Sequence, residues 1–106
     1  MDSPAAEPST LVLQAIALRR CLEATYNRSA IKLAPYILYT RHGDLFVDGV
    51  TVEREGRLAV ELKLGTFKLA GLKSTAVTSR KFELEPLYDP AAEKYQGVTL
   101  FAVEPA

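Results

Sequence analysis

After residue 21 the sequence breaks into short stretches in which apolar and polar residues alternate, each ending at a polar or glycine-bearing break. Leu22, Ala24 and Tyr26 point one way while Glu23, Thr25 and Asn27 point the other, which is the period of a strand and not of a helix. Asn27-Arg28-Ser29 breaks that run, and Ile31, Leu33, Ile37 and Tyr39 then share one face of a second strand, which Pro35 bends or places at an edge. Arg41-His42-Gly43-Asp44 supplies turn chemistry before Leu45-Phe46-Val47 begins the return strand. Gly49 permits a bulge or corner, and Glu55-Gly56 closes the next turn. Leu58, Val60, Leu62 and Leu64 alternate again, Phe67 and Leu69 follow, and Val77, Phe82 and Leu84 suggest one more extended segment. Strands this close together leave no room for the helix that a parallel βαβ connection needs, so the pattern predicts an antiparallel, strongly bent sheet.

Before these strands there is room for one helix. Leu11, Ala15, Leu18 and Leu22 recur at helical spacing with Val12 and Ile16 beside them, and Ser9 or Thr10 is placed to cap a helix over about residues 10–20. Arg19 and Arg20 then fall in its last turn, where cations interact favourably with the exposed carbonyls. Residues 1–8, with two prolines, read as a flexible tail, residues 9–88 as the barrel domain, and residues 89–106 as a C-terminal extension on or beside it. In that extension Asp89-Pro90-Ala91-Ala92-Glu93-Lys94 looks like a capped helical turn, and Val98, Leu100 and Ala102 alternate like a strand. The expected fold class is mainly β, α+β: an N-terminal helix across a small, mostly antiparallel barrel of about five strands. Leu11, Ile16, Leu33, Ile37, Val47, Val52, Leu62, Phe67 and Leu69 are its expected core.

Several function classes find no support in the composition. Thirteen Lys and Arg balance thirteen Asp and Glu, which removes the uniform field of a histone-like nucleic-acid binder. A single cysteine, Cys21, excludes an internal disulfide framework and a multi-cysteine metal cluster, and points to a reducing cytoplasm. The longest stretch free of charge, Pro8–Leu18, has 11 residues, against about 20 for a membrane-spanning helix. The acidic, proline-containing start is unlike a secretory signal, so the expectation is a cytoplasmic, bacterial-type protein that does not engage a membrane.

Charge is balanced overall but not locally. Residues 57–81 carry six basic side chains and one acidic, a net of +5; residues 82–106 carry one basic and five acidic, a net of −4. This reads either as a cationic patch for phosphates that the acidic tail covers, or as solvated strand faces that neutralise each other.

The titratable groups do not assemble a recognisable catalyst. His42, the single imidazole, sits in a turn with no Cys, His or Asp at ligand spacing, which builds neither a zinc site nor a Ser-His-Asp triad. Cys21 reads as a buried small hydrophobe. Asp44 and Asp48 lie four apart on a strand and share a face, although the turn accounts for Asp44. No glycine-rich phosphate loop is present. The expectation is a protein that is not an enzyme, with no cofactor, no metal and no catalytic residue.

The aromatic residues say more. Tyr26, Tyr36, Tyr39, Phe46 and Phe67 fall on expected strands, interleaved with Lys32, Arg41 and Lys68. Small barrels use such rings to stack bases while cations hold phosphates. Core packing is the competing use, since tyrosine is often buried with only its hydroxyl at the surface.

Taken in order, a helix, Leu22-Glu23-Ala24-Thr25-Tyr26, Ala34-Pro35-Tyr36-Ile37-Leu38, Gly43-Asp44-Leu45-Phe46-Val47 and Gly65-Thr66-Phe67-Lys68-Leu69 resemble the WYL-domain family over about residues 11–82. Tyr26, Pro35, Leu38, Phe67 and Leu69 match the family pattern by identity, Lys68 keeps the charge of its first arginine, and Tyr36 takes its histidine place. The naming triplet is Leu45-Phe46-Val47, and Gly71 stands where the family has a second arginine associated with ligand binding. The resemblance implies an Sm- or SH3-like barrel and a noncatalytic ligand-sensing or regulatory module for a nucleotide, oligonucleotide or other anionic ligand, of the kind found in bacterial transcription regulators and CRISPR-associated proteins. It implies Tyr26, Tyr36, Phe46 and Lys68 as ligand-binding residues; Arg41 joins them because the hairpin can bring it near Tyr39. With one helix before the barrel and no DNA-reading helix-turn-helix, such a module would bind nucleic acid or nucleotide directly or act through a regulatory protein partner. The alternative is a protein-interaction or self-assembly module with a decayed ligand site, in which an exposed strand edge pairs two copies as a homodimer.

Overall fold

A computed structural model describes residues 7–104. Most of the expected tail therefore lies outside the described residues, and Pro8 belongs to the helix.

Helix α1 spans Pro8–Leu18 and starts earlier than the Ser9 or Thr10 cap expected from sequence. Pro8 occupies the first turn, where its fixed φ suits the helix and its missing N–H leaves no donor unpaired, so Glu7 stands at the N-cap without a side-chain cap. The helix also ends before the two arginines. Arg19 is a left-handed C-cap (φ 54°) whose N–H meets the carbonyls of Ala15 and Ile16, and Arg20 already begins a strand. Val12, Ala15 and Ile16, one helical face, are buried.

Strands β1 (Arg20–Tyr26), β2 (Ser29–Arg41), β3 (Asp44–Arg54), β4 (Arg57–Leu58), β5 (Leu64–Lys68), β6 (Lys73–Lys81) and β7 (Thr99–Ala102) form one antiparallel sheet. The path runs β4-β3-β2-β1-β6, with β5 added to β3 and β7 to β2, which gives seven strands among the described residues against an expectation of about five. The sheet curls into a half-barrel, so the chain is a small, mainly β, barrel-like fold with one N-terminal helix. The curl lets Arg80 of β6 reach Glu53 of β3 (2.7 Å) although β1 and β2 lie between those strands in the sheet order.

Three hairpins share one device. Asn27-Arg28, His42-Gly43 and Glu55-Gly56 each link directly paired residues, and all six have positive φ. That is the two-residue turn whose twist matches the strands. The expected corner at Gly49 is also present: the register steps from Pro35 opposite Gly49 to Ile37 opposite Asp48, leaving Tyr36 as the extra residue. A Cβ on Gly49 would stand 2.2 Å from the Ala34 carbonyl oxygen, so the backbones approach too closely for any other residue.

The run Leu58-Val60-Leu62-Leu64 departs from its strand expectation. β4 and β5 both pair with the same edge of β3, β4 with Glu53 and Arg54, β5 with residues 46–50. Residues 59–63 must bridge the short gap between them and arch away from the sheet. Leu62, expected in the core, is therefore exposed, as are Leu58 and Val60. Of the other expected core residues, Ile16, Leu33, Ile37, Val47, Phe67 and Leu69 are buried, and Leu11 and Val52 are half-buried.

Candidate ligand-binding surface

The main core packs α1 against Leu22, Leu33, Leu38, Val47 and Phe67. By strand alternation the next rung projects from the other face of the sheet: Tyr39 lies opposite Phe46, and Phe46 opposite Lys68, across β2, β3 and β5. One step outward on the same face Arg41 pairs with Asp44, and one step inward Ile37, Asp48 and Thr66 are aligned.

Aromatic rings form an unbroken row that starts in the main core, at Phe82 and Tyr36, and ends on this side. Phe82 meets Tyr36 at 5.5 Å between centroids, Tyr36 meets Tyr88 at 5.2 Å, Tyr88 meets Tyr95 at 6.0 Å, Tyr95 meets Tyr39 at 5.2 Å, and Tyr39 stacks on Phe46 at 6.0 Å. These separations lie in the range for favourable ring pairs.

Near the Phe46 end sits Asp48, the buried charged residue of the described chain. Its Oδ1 accepts from the Tyr39 hydroxyl (2.7 Å), and its Oδ2 accepts from the Tyr95 hydroxyl (2.6 Å) and the Lys94 ammonium (2.8 Å). Lys94 also donates to Thr66 Oγ1 (3.3 Å) and lies 5.4 Å from the centroids of both Tyr39 and Tyr95. Burial pushes the Asp48 carboxyl up, but the hydrogen bonds from Lys94, Tyr95, Tyr39 and Thr66 outweigh it and hold the group below its ordinary range. Burial and the bond to Asp48 push both Tyr39 and Tyr95 above their ordinary value. Lys94 is raised as well, because Asp48 and Tyr39 outweigh the effect of its partial burial. Carboxylate and ammonium are thus held charged and the phenols neutral, an arrangement that pins the 88–98 segment to the sheet.

The five residues singled out from sequence do not share one place. Phe46, Lys68 and Arg41 lie on neighbouring rungs of the same face. Phe46 is half-buried, and the Lys68 side chain is 50% exposed with its ammonium 3.4 Å from Asp44. Tyr26 is on the opposite face, edge-on to Phe67 at 5.0 Å, and its hydroxyl accepts from the Lys68 backbone N–H (3.3 Å). A Cβ on Gly71 would lie 2.8 Å from the Tyr26 ring, so the glycine makes room for that ring. Tyr36 is enclosed in the core; its hydroxyl donates to the Glu83 carbonyl (3.2 Å) and accepts from the Glu85 N–H (3.1 Å).

The basic residues of 57–81 are likewise dispersed. Lys68 pairs with Asp44 and Arg80 with Glu53, while Lys73 donates to the Ala70 carbonyl. His42 is an exposed turn residue at φ 51°, and Cys21 is a buried free thiol whose pKa burial raises. Among the described residues no three His, Cys, Asp or Glu side chains gather closely enough to hold a metal, and no helix is long and apolar enough to cross a membrane.

Sequence reasoning weighed Asp48 only as half of an acidic pair with Asp44. Its signal was a charge between Val47 and Gly49-Val50, in a stretch that is otherwise apolar. Nothing local to Lys94 and Tyr95 announces that they would meet it.

No family model, curated protein or solved structure matches the chain.

Proposed function

We propose that this chain is a noncatalytic ligand-sensing or regulatory module that binds a nucleotide, oligonucleotide or other small anionic ligand beside the His42-Gly43 hairpin. The observation that carries the reading is the Phe46/Lys68 rung: a partly exposed ring directly paired with a solvent-accessible ammonium, with Arg41 one step further along the same face. Phe46 would stack on a base, its ring backed by Tyr39, while Lys68 and Arg41 would pair with phosphate. The Lys68/Asp44 pair is long and exposed, so exchanging Asp44 for a phosphate costs little. Tyr26 contributes at second hand, by fixing the Lys68 backbone from the other face. The resemblance to WYL domains supports the same stretch of β5. In a regulatory role the bound state would be read by a partner protein.

The test is titration of the protein with single-stranded DNA, single-stranded RNA and mononucleotides at low and moderate salt. The reading expects binding that weakens as salt rises; absence of salt-sensitive binding to all three removes it.

A further inference from the structure

The arch between β4 and β5 presents Leu58 and Val60, which the other described residues leave largely uncovered. Leu58 is 69% exposed, Val60 is fully exposed and Leu62 is exposed, although Arg57-Leu58-Ala59-Val60-Glu61-Leu62-Lys63 alternates as a strand should. The Ala59 N–H points inward to the Val52 carbonyl (2.9 Å), and among the described residues no backbone hydrogen bond of this chain engages Val60, Glu61, Leu62 or Lys63. By alternation the N–H and C=O of Leu58 face outward at the rim of the sheet, and Val60 and Glu61 follow in a bend.

We propose that this arch is a self-association edge, on which a second copy of the chain pairs antiparallel about a two-fold axis at Ala59. Among axes at residues 58–60, next to β4, the charges select that one. Centred on Ala59, the outward-facing Leu58 meets Val60 of the second copy, and Arg57 meets Glu61, in both directions. Centred on Val60, Arg57 would face Lys63; centred on Leu58, Glu55 would face Glu61; both oppose like charges. Pairing at Ala59 covers Leu58 and Val60 and satisfies the free backbone groups of the rim, and the two-fold makes the contact self-complementary and closed. The contact is independent of the anion-binding reading, since neither Phe46 nor Lys68 takes part.

The experiment is sedimentation of the full chain over a range of concentrations, together with Arg57→Glu, Glu61→Arg and their equimolar mixture. In either variant alone both charge pairs become repulsive, whereas a mixed pair sets Glu against Arg at both rungs. The expected result is a concentration-dependent dimer for the unaltered chain, monomers for each variant alone, and dimer restored on mixing. Ala59→Cys gives a second readout: the two copies of residue 59 face each other on the axis, so oxidation should yield a covalent dimer while Cys21 stays buried. A strictly monomeric chain, variants that dimerise alone, a mixture that stays monomeric, or no covalent dimer from Ala59→Cys overturns the proposal. Failure here leaves salt-sensitive ligand binding untouched, and the reverse.

Discussion

The Lys94 ammonium, on a short 3-10 turn near the C-terminus, donates at 2.8 Å to Asp48, a carboxylate in the middle of β3 with no solvent exposure. Two tyrosine hydroxyls complete the shell, so a charge placed in an apolar strand is tolerated only because residues 39, 94 and 95 close over it.

This arrangement makes stability depend on pH in a definite direction. The Asp48 pKa is lower folded than unfolded, so its contribution is complete above the ordinary carboxylate range and is lost as pH falls through the depressed folded value. Lys94, raised in the fold, contributes fully below the ordinary lysine value and ceases to as pH rises through its folded value. Urea melts of the unaltered chain and of Asp48→Asn should therefore differ most near neutral pH and converge in acid. A gap that stays constant down to strongly acidic pH contradicts the assignment.

Two tyrosines whose ring centroids lie 6.0 Å apart should respond unequally to loss of the hydroxyl. Tyr95→Phe removes a donor from a buried carboxylate and should cost about 1 to 3 kcal/mol. The Tyr88 hydroxyl is buried with no partner among the described residues, so Tyr88→Phe should change stability by less than about 0.5 kcal/mol or increase it. Chemical denaturation of both variants at one pH decides this, and equal losses count against the hydrogen-bond pattern.

Glycines at 43 and 49 matter for different reasons. Gly49→Ala drives a methyl group into the Ala34 carbonyl and should cost about 3 kcal/mol, since two paired strands must separate. Gly43→Ala has open space around the new carbon and strains only the positive φ of 82°, for about 1 kcal/mol. Thermal melts that rank the two in the opposite order would place the close approach elsewhere.

The turns were the most legible part of this sequence, because Asn27, Gly43 and Gly56 state their backbone requirement locally. Antiparallel pairing followed from how closely the strands succeed one another. The arch at 59–63 was not legible, since a period of two reports strand competence and does not say that β4 and β5 compete for one edge of β3. Pro8 moved the helix start because its fixed φ suits the first turn better than a hydroxyl cap does. Of the candidate site, the Phe46/Lys68 rung was within reach of strand alternation. The enclosure of Tyr36 depends on a bulge whose side the sequence does not reveal, and Lys94 reaches Asp48 across 46 positions of chain, a distance no local pattern spans.

A charge control for binding must be a lysine that the fold does not itself use. Lys94 holds Asp48, so removing it perturbs the fold and cannot report a diffuse field alone. Lys63, exposed on the arch, is the better comparison.

The most direct measurement is therefore the salt dependence of oligonucleotide binding for the unaltered chain, Lys68→Ala and Lys63→Ala. Both substitutions remove one positive charge, so a long-range field would respond to each alike. If Phe46 and Lys68 form the site, Lys68→Ala weakens binding and lowers the slope of log affinity against log salt by about one, while Lys63→Ala leaves the slope unchanged. Equal effects of the two, or a slope untouched by Lys68→Ala in a chain that binds, contradict the assignment.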